Sequence, residues 1–405
     1  MSLAELPMIF ILLGLVFYIV LAGADFGAAI WQVTARPTER GERIREHAHE
    51  AMAPVWEANH VWLIFVLTVA WTAYPAALGS LASTLSVALV LAGLGIITRG
   101  AAYATRSGAT EPKEMRRIDA ASAISSILTP FALGAAIGGV ASARVPYGNA
   151  AGDLVTSWLN PTSVVIGALS VAFSAYLAAV YLCADATRRG ESDLVEPFRR
   201  RALGAGAVTG VLALVGLLVL EQDAHRLFRE LVTGGGLPAL LISGAGGAGT
   251  LGLVVRRRFE PARYTAGLAV AAIVAGWALA QQPQLLPGLT VRAAAAPHDV
   301  LVAITIAIVG GGIILFPSLV LLFRLALGGR LGQAEAERAS EAPRSGELLF
   351  ASAPGFLGRT AIASLALGTG LLAIAEADWA HAVGLIALLA FVVVGFLWAV
   401  PALLE

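Results

Sequence analysis

The sequence predicts an all-α, polytopic membrane protein. Three observations lead there. Charged residues make up only 13% of the chain, mean hydropathy is +0.80, and apolar runs of bilayer-crossing length recur from one end to the other. Soluble domains carry roughly a quarter charged residues, so a water-soluble globule is excluded by composition. The single cysteine, Cys183, rules out an internal disulfide or a cysteine-rich metal site.

A span needs about 20 apolar residues. Eleven fit, at 7–32, 54–74, 80–103, 118–141, 161–186, 202–220, 236–255, 264–281, 298–324, 357–376 and 382–401. The first run, Pro7 to Trp31, follows no basic segment and no small-residue cleavage site, so it is expected to be a retained helix. The first nine spans form a core, residues 1–325. The stretch 326–356, centred on GQAEAERASEAPRSGE, is expected to be a polar linker, and residues 357–405 a C-terminal two-helix hairpin. Glycines at small-xxx-small spacing, Gly23 with Gly27 and Gly134 with Gly138, suit close helix packing in lipid.

The basic residues then orient the spans. Of 27 lysines and arginines, 22 fall on alternate segments at 33–53, 104–117, 187–201, 256–263 and 324–359. The opposite set holds Arg144, Arg226, Arg229 and Arg292, and Arg99 lies within a span. Basic residues resist translocation. The arginine-rich side is therefore expected in the cytoplasm, with the N-terminus outside and the C-terminus inside.

Ionisable side chains in a bilayer are costly and usually face the bundle interior. Asp25, in LAGADFGAA, has Ala22, Ala28 and Ala29 as helical neighbours and lies between Gly23 and Gly27. That small face lets another helix approach the carboxylate, either for a structural hydrogen bond or as part of a pathway. In PVWEANHVWLI, the apolar run from Val61 to Tyr74 is too short to cross alone, so the helix must include Glu57 and His60 near its cytoplasmic end. Three residues apart, the two share a helix face and could share a proton. The competing reading makes Glu57 a first-turn acid behind Pro54, favoured by the helix dipole. Arg99, four residues before the end of its span, either snorkels to the interface or is the counter-ion of Asp25 or Glu57. The six histidines are scattered over loops and helix ends, with no facing pair of axial haem ligands, so no haem is expected on this chain.

Taken together, the segments LAGADFGAAIW, PVWEANHVWLIFV, ITRGAAYATR, SSILTPFALGAAIGG, WLNPTSVVIGALSVAFSAYLAAVYL and GWALAQQPQLLPGLTVRAAAAPHDVL resemble, in order, subunit II of the cytochrome bd quinol oxidases, in particular the cyanide-insensitive branch. The resemblance covers residues 7 to 325. It implies a subunit of a bacterial terminal oxidase of the cytoplasmic membrane that oxidises quinol and reduces dioxygen to water. The haems would belong to a partner subunit I, and this chain would help form a cytoplasmic proton-uptake route through Asp25, Glu57, His60 and Arg99. One departure stands out: where the family often has two aspartates around the glycine of the first helix, this chain has Ala22 and only Asp25. In the second-helix motif it has Glu57 where aspartate is frequent, and His60 where an acid is common. The C-terminal hairpin lies outside the resemblance and is expected at the bundle's periphery, where a small single-helix accessory subunit would sit. No nucleic-acid partner is expected. Two other functions fit parts of the pattern: a proton-coupled transporter or channel using Asp25 and Glu57, disfavoured by the lack of a clear repeat, and a purely structural scaffold for the haem subunit.

Overall fold

The computed structural model describes residues 2–52, 56–106, 112–327, 356–374 and 378–404. They are helical apart from loops and one two-stranded hairpin. The chain divides into two compact units, Met1–Pro317 and Ser318–Glu405. After a 3-10 turn at Leu3–Glu5 the helices are α1 (Leu6–Val33), α2 (Glu39–Met52), α3 (Trp56–Ala73), α4 (Pro75–Thr84), α5 (Ser86–Arg106), α6 (Pro112–Ala141) and α7 (Pro161–Arg188). There follow α8 (Ser192–Asp223), α9 (His225–Val232), α10 (Leu237–Val255), α11 (Phe259–Gln281), α12 (Val291–Ala294) and α13 (His298–Leu327). The last two are α14 (Phe356–Ile374) and α15 (Asp378–Leu404), which pack on each other. Among the described residues seven helices are long and apolar enough to cross a membrane: α1, α5, α6, α7, α8, α10 and α11. The protein is an all-α polytopic membrane protein.

Each of the eleven expected spans coincides with a helix, but the polar stretches between them are more structured than loops. The third span begins at Ser86 rather than residue 80. Leu85 leaves helical geometry (φ −96°, ψ 18°), and the preceding residues form α4, a separate short helix started by Pro75. The segment 33–53 holds α2. Thr38 caps its start, its Oγ1 accepting from the Gly41 amide at 3.2 Å. Ile44, His47 and Ala48 are buried along one face, while Arg43, Glu46 and Glu50 are exposed. This amphipathic helix lies across the arginine-rich end of the bundle. At the opposite end Gln284–Leu286 pairs antiparallel with Leu289–Thr290 through a turn in which Gly288 takes φ +77°, behind Pro287.

The centre of the first unit is α7, which packs against α1, α6, α8 and α11. It starts on Asn160, whose side chain accepts from the Ser163 amide at 2.9 Å, with Pro161 as first helical residue. From Tyr176 to Ala186, α7 is buried almost all the way round. The contact with α1 is backbone-close: a methyl group built on Gly27 would stand 1.9 Å from the Ser174 carbonyl oxygen. Likewise a methyl on Gly138 of α6 would reach within 2.4 Å of Ser163 Cα. In lipid, where apolar side chains gain nothing by leaving solvent, such approach supplies the packing that holds helices together. Trp31 Nε1 adds a bond to the Ala175 carbonyl at 2.8 Å.

Close packing at Gly27 has a direct consequence. Gly27→Ala should lower the melting temperature of the detergent-purified protein measurably, since overpacking costs about 1–3 kcal/mol. Gly93→Ala, on α5 with nothing within 4 Å of the added methyl, should leave it unchanged or slightly raised. Equal melting temperatures for the two variants would contradict the packing role.

Candidate functional site

Asp25 sits on the small-residue face of α1, where Ala22, Ala28 and Ala29 let neighbouring helices close in. The side chain that arrives is Arg99 of α5. Asp25 is 1% exposed and Arg99 8%. The guanidinium grips the carboxylate with two bonds, Nη2 to Oδ1 at 2.6 Å and Nε to Oδ2 at 3.1 Å. Nη2 also donates to the Asp25 backbone carbonyl at 2.9 Å, and Nη1 donates to Ser126 Oγ of α6. The Phe26 ring lies under the charge, its centroid 5.3 Å from Cζ. Arg99 thus turns inward, away from the interface, and ties α1, α5 and α6 at one point.

Between this pair and the arginine-rich end lies a cavity of about 20 Å³. Asp25, Arg99, Gln32, Tyr103, Ser122 and His49 line it. A water needs roughly 10–15 Å³ and a few polar partners, so the cavity suits about one water molecule. His49 comes from α2 and stacks, tilted by 34°, on Tyr103 with centroids 5.0 Å apart. Both are half-buried, so they form the outer wall.

His60, one turn into α3, lies elsewhere. Its ring meets Tyr18 of α1 edge-on, with centroids 6.4 Å apart, and it is near enough to the pair to feel the charges of both Asp25 and Arg99. Glu57 belongs to α3, but its side chain is outside the described residues. The structure therefore joins Asp25 to Arg99 directly and sets His60 on an adjoining helix. Tyr18 separates this region from a second, apolar cavity of about 160 Å³, bounded by Leu63, Leu89, Leu133 and Phe173.

Sequence reasoning missed Ser126, Tyr103, Ser122 and His49. A signal was there: Arg99 with Tyr103 and Ser122 with Ser126 are i, i+4 pairs, and Asp25 with Gln32 is i, i+7, each a polar stripe on one helix face. His49 was assigned to a loop because α2 has no long apolar run. Among the described residues no three His, Cys, Asp or Glu side chains gather to hold a metal ion. The described histidines are dispersed, with His47 against Glu191 at 2.6 Å, His225 near the Glu221 carbonyl and His298 beside Asp299.

Known proteins now bear on this geometry. The family model for cytochrome bd terminal oxidase subunit II matches residues 3–326. The chain belongs to that family. Among solved structures, a chain of the bd oxidase from Geobacillus thermodenitrificans is similar with a TM-score of 0.68, covering 81% of this chain and 99% of its own at 24% identity. At that identity the likeness speaks for the fold. A search of curated proteins finds no match. The family makes this chain a subunit of a respiratory terminal oxidase, an oxidoreductase complex in which it has partner subunits, rather than a free-standing transporter.

The buried pair itself can be tested. Removing one partner leaves a charge in the bundle without compensation and costs about 3–5 kcal/mol. Arg99→Met should therefore cut the thermal stability of the purified subunit complex far more than the double variant Asp25→Leu/Arg99→Met. A double-mutant cycle by thermal unfolding checks this, and additive losses would show that the two side chains do not depend on each other.

Proposed function

We propose that this chain is the non-haem subunit of a bacterial quinol:dioxygen oxidoreductase. It packs against a haem-bearing subunit I and contributes to proton uptake for reduction of dioxygen to water. The observation that carries the proton role is the water-sized cavity that reaches Asp25 and Arg99 from the arginine-rich end. By the excess of basic residues that end belongs in the cytoplasm, with the N-terminus outside and the C-terminus inside. Oxygen reduction consumes protons, and a buried carboxylate touching a water is the group that can take one up and release it. Arg99 holds Asp25 in place. His60 and Glu57, on α3, extend the route beyond the pair. The haems belong to subunit I, and a quinol and membrane lipid complete the partners. A small single-helix accessory subunit against the C-terminal hairpin is the remaining partner in this reading.

A second reading has its own support. Arg99 makes four polar contacts to α1 and α6, which is what a purely structural staple would do.

Amide substitution separates the two. Asp25→Asn and Glu57→Gln in the assembled oxidase should each slow quinol-driven oxygen consumption by about 10²-fold, the lower end of the scale for loss of a positioned proton-transfer group. The haem absorbance and subunit stoichiometry should stay intact. Full activity in both variants would reject the proton route, whereas loss of assembled haem would favour the staple.

A further inference from the structure

The cavity beside Asp25 has an outer wall that the proton-uptake reading does not use. Its half-buried ring is His49, carried by α2, a helix the chain could have left as a plain loop. The helix is fixed from its other side. His47, 3% exposed, stands 2.6 Å from Glu191 Oε2 through Nδ1 and 3.3 Å from the Leu182 carbonyl through Nε2. Arg189 pairs with Glu50 at 2.9 Å and with Asp185 at 2.9 Å. Two residues on from His47, the helical turn points His49 the opposite way, onto Tyr103 and the cavity. The groups facing that cavity with it are Asp25 and Gln32 from α1, Arg99 and Tyr103 from α5, and Ser122 from α6.

We propose that His49 is the proton-collecting residue of the Asp25 inlet: it takes protons from solvent at the arginine-rich end and delivers them to Asp25 through a water held in the cavity. The proposal rests on the reading of Asp25 as a proton-uptake group. An imidazole changes charge within the physiological pH range, which suits a group that must load from bulk water and unload inward. In the transfer, the imidazolium N–H bond breaks as its proton passes to the cavity water. That water gives one of its own protons to the Asp25 carboxylate, and the neutral ring is reloaded from solvent. When Asp25 becomes neutral, Arg99 keeps the Ser126 hydroxyl, the Asp25 backbone carbonyl and the Phe26 ring as partners, so its charge is not stranded.

The test uses the complete oxidase in detergent and in proteoliposomes. His49→Gln, Ala102→Leu and Asp25→Asn are compared for oxygen consumption, proton uptake and haem spectrum. Ala102 lines the cavity, so the leucine fills it without replacing a titratable group. The expected result is a loss of about tenfold or more in His49→Gln and Ala102→Leu alike, with intact haem spectra. Added imidazole buffer should restore much of the rate in His49→Gln and none in Ala102→Leu. Wild-type rates in His49→Gln with a slow Asp25→Asn would overturn the inlet while leaving the uptake role standing. A slow His49→Gln that imidazole does not rescue would assign His49 a structural task and likewise overturn it. Should His49→Gln lose its haem, Ala102→Leu decides alone: an unimpaired rate overturns the proposal. A fully active Asp25→Asn removes the underlying reading and the inlet with it.

Discussion

Two opposite charges placed inside a bilayer span set the terms for much of the first unit. Taking a carboxylate and a guanidinium out of water costs several kcal/mol each, and their attraction offsets that only when geometry is good and the remaining donors are satisfied. Arg99 meets this condition through both Asp25 oxygens, the Asp25 carbonyl and Ser126. For these bonds to form, α5 and α6 must come close to α1, and the alanines and glycines around Asp25 make room for them. The same run of small residues lets Gly27 lie against the α7 backbone. One charge pair and one small-residue stripe are thus two aspects of a single packing requirement.

The arginine-rich end shows a second economy. Residues that mark the side of the membrane also staple the helix ends. Arg189 reaches Glu50 and Asp185, Arg257 reaches Glu196, and Arg43 pairs with Asp193. Each of these pairs is partly exposed and contributes little by itself. As a set they tie α2 to α7 and α8, and the turn after α10 to α8. A basic surface that only obeyed the topological bias would need no such partners, and α2 would have no reason to settle on the bundle. At the opposite end Arg292 pairs with Glu5, and Arg144 grips Asp223 with both terminal nitrogens, a carboxylate that also accepts from Thr162. The carboxylate raises the proton affinity of the Arg144 guanidinium still further, so that pair keeps its charges.

The spans were legible because bilayer thickness imposes a length, and length with apolarity survives any local detail. Asp25 and Arg99 were legible for the complementary reason, as ionisable residues in runs that otherwise exclude them. Hydropathy is blind to what happens inside an apolar run, so the break at Leu85 between α4 and α5 left no trace in it. It is equally blind to a helix that is polar on average. Yet Ile44, His47, Ala48 and Ala51 follow the i, i+3, i+4, i+7 pattern of an amphipathic helix, and Thr38 stands where a cap belongs. The turn at Pro287–Gly288 carried its signal openly. The company kept by Asp25 was the hardest part: Ser126 and His49 come from separate helices, and nothing in one helix states which face its neighbour presents.

The two cavities bear on where a proton leaves Asp25 in the proposed route. The smaller one, lined by Asp25, Arg99, Ser122 and His49, has room for the water that the proposed route needs. The larger one, beyond Tyr18, is walled by Leu63, Leu89, Leu133 and Phe173. Apart from Tyr18, Ser170 and Ser174 its lining is apolar, so it offers a water chain few partners. A proton that reached Asp25 therefore gains nothing by continuing along the axis of α1. The polar neighbours on offer are sideways, on α3, where His60 meets Tyr18 at the border between the two cavities and Glu57 lies three residues earlier on the same helix. An uptake route built from these residues turns aside at Asp25 and leaves across α3. In the proposed route the apolar cavity serves as insulation against a path straight along α1.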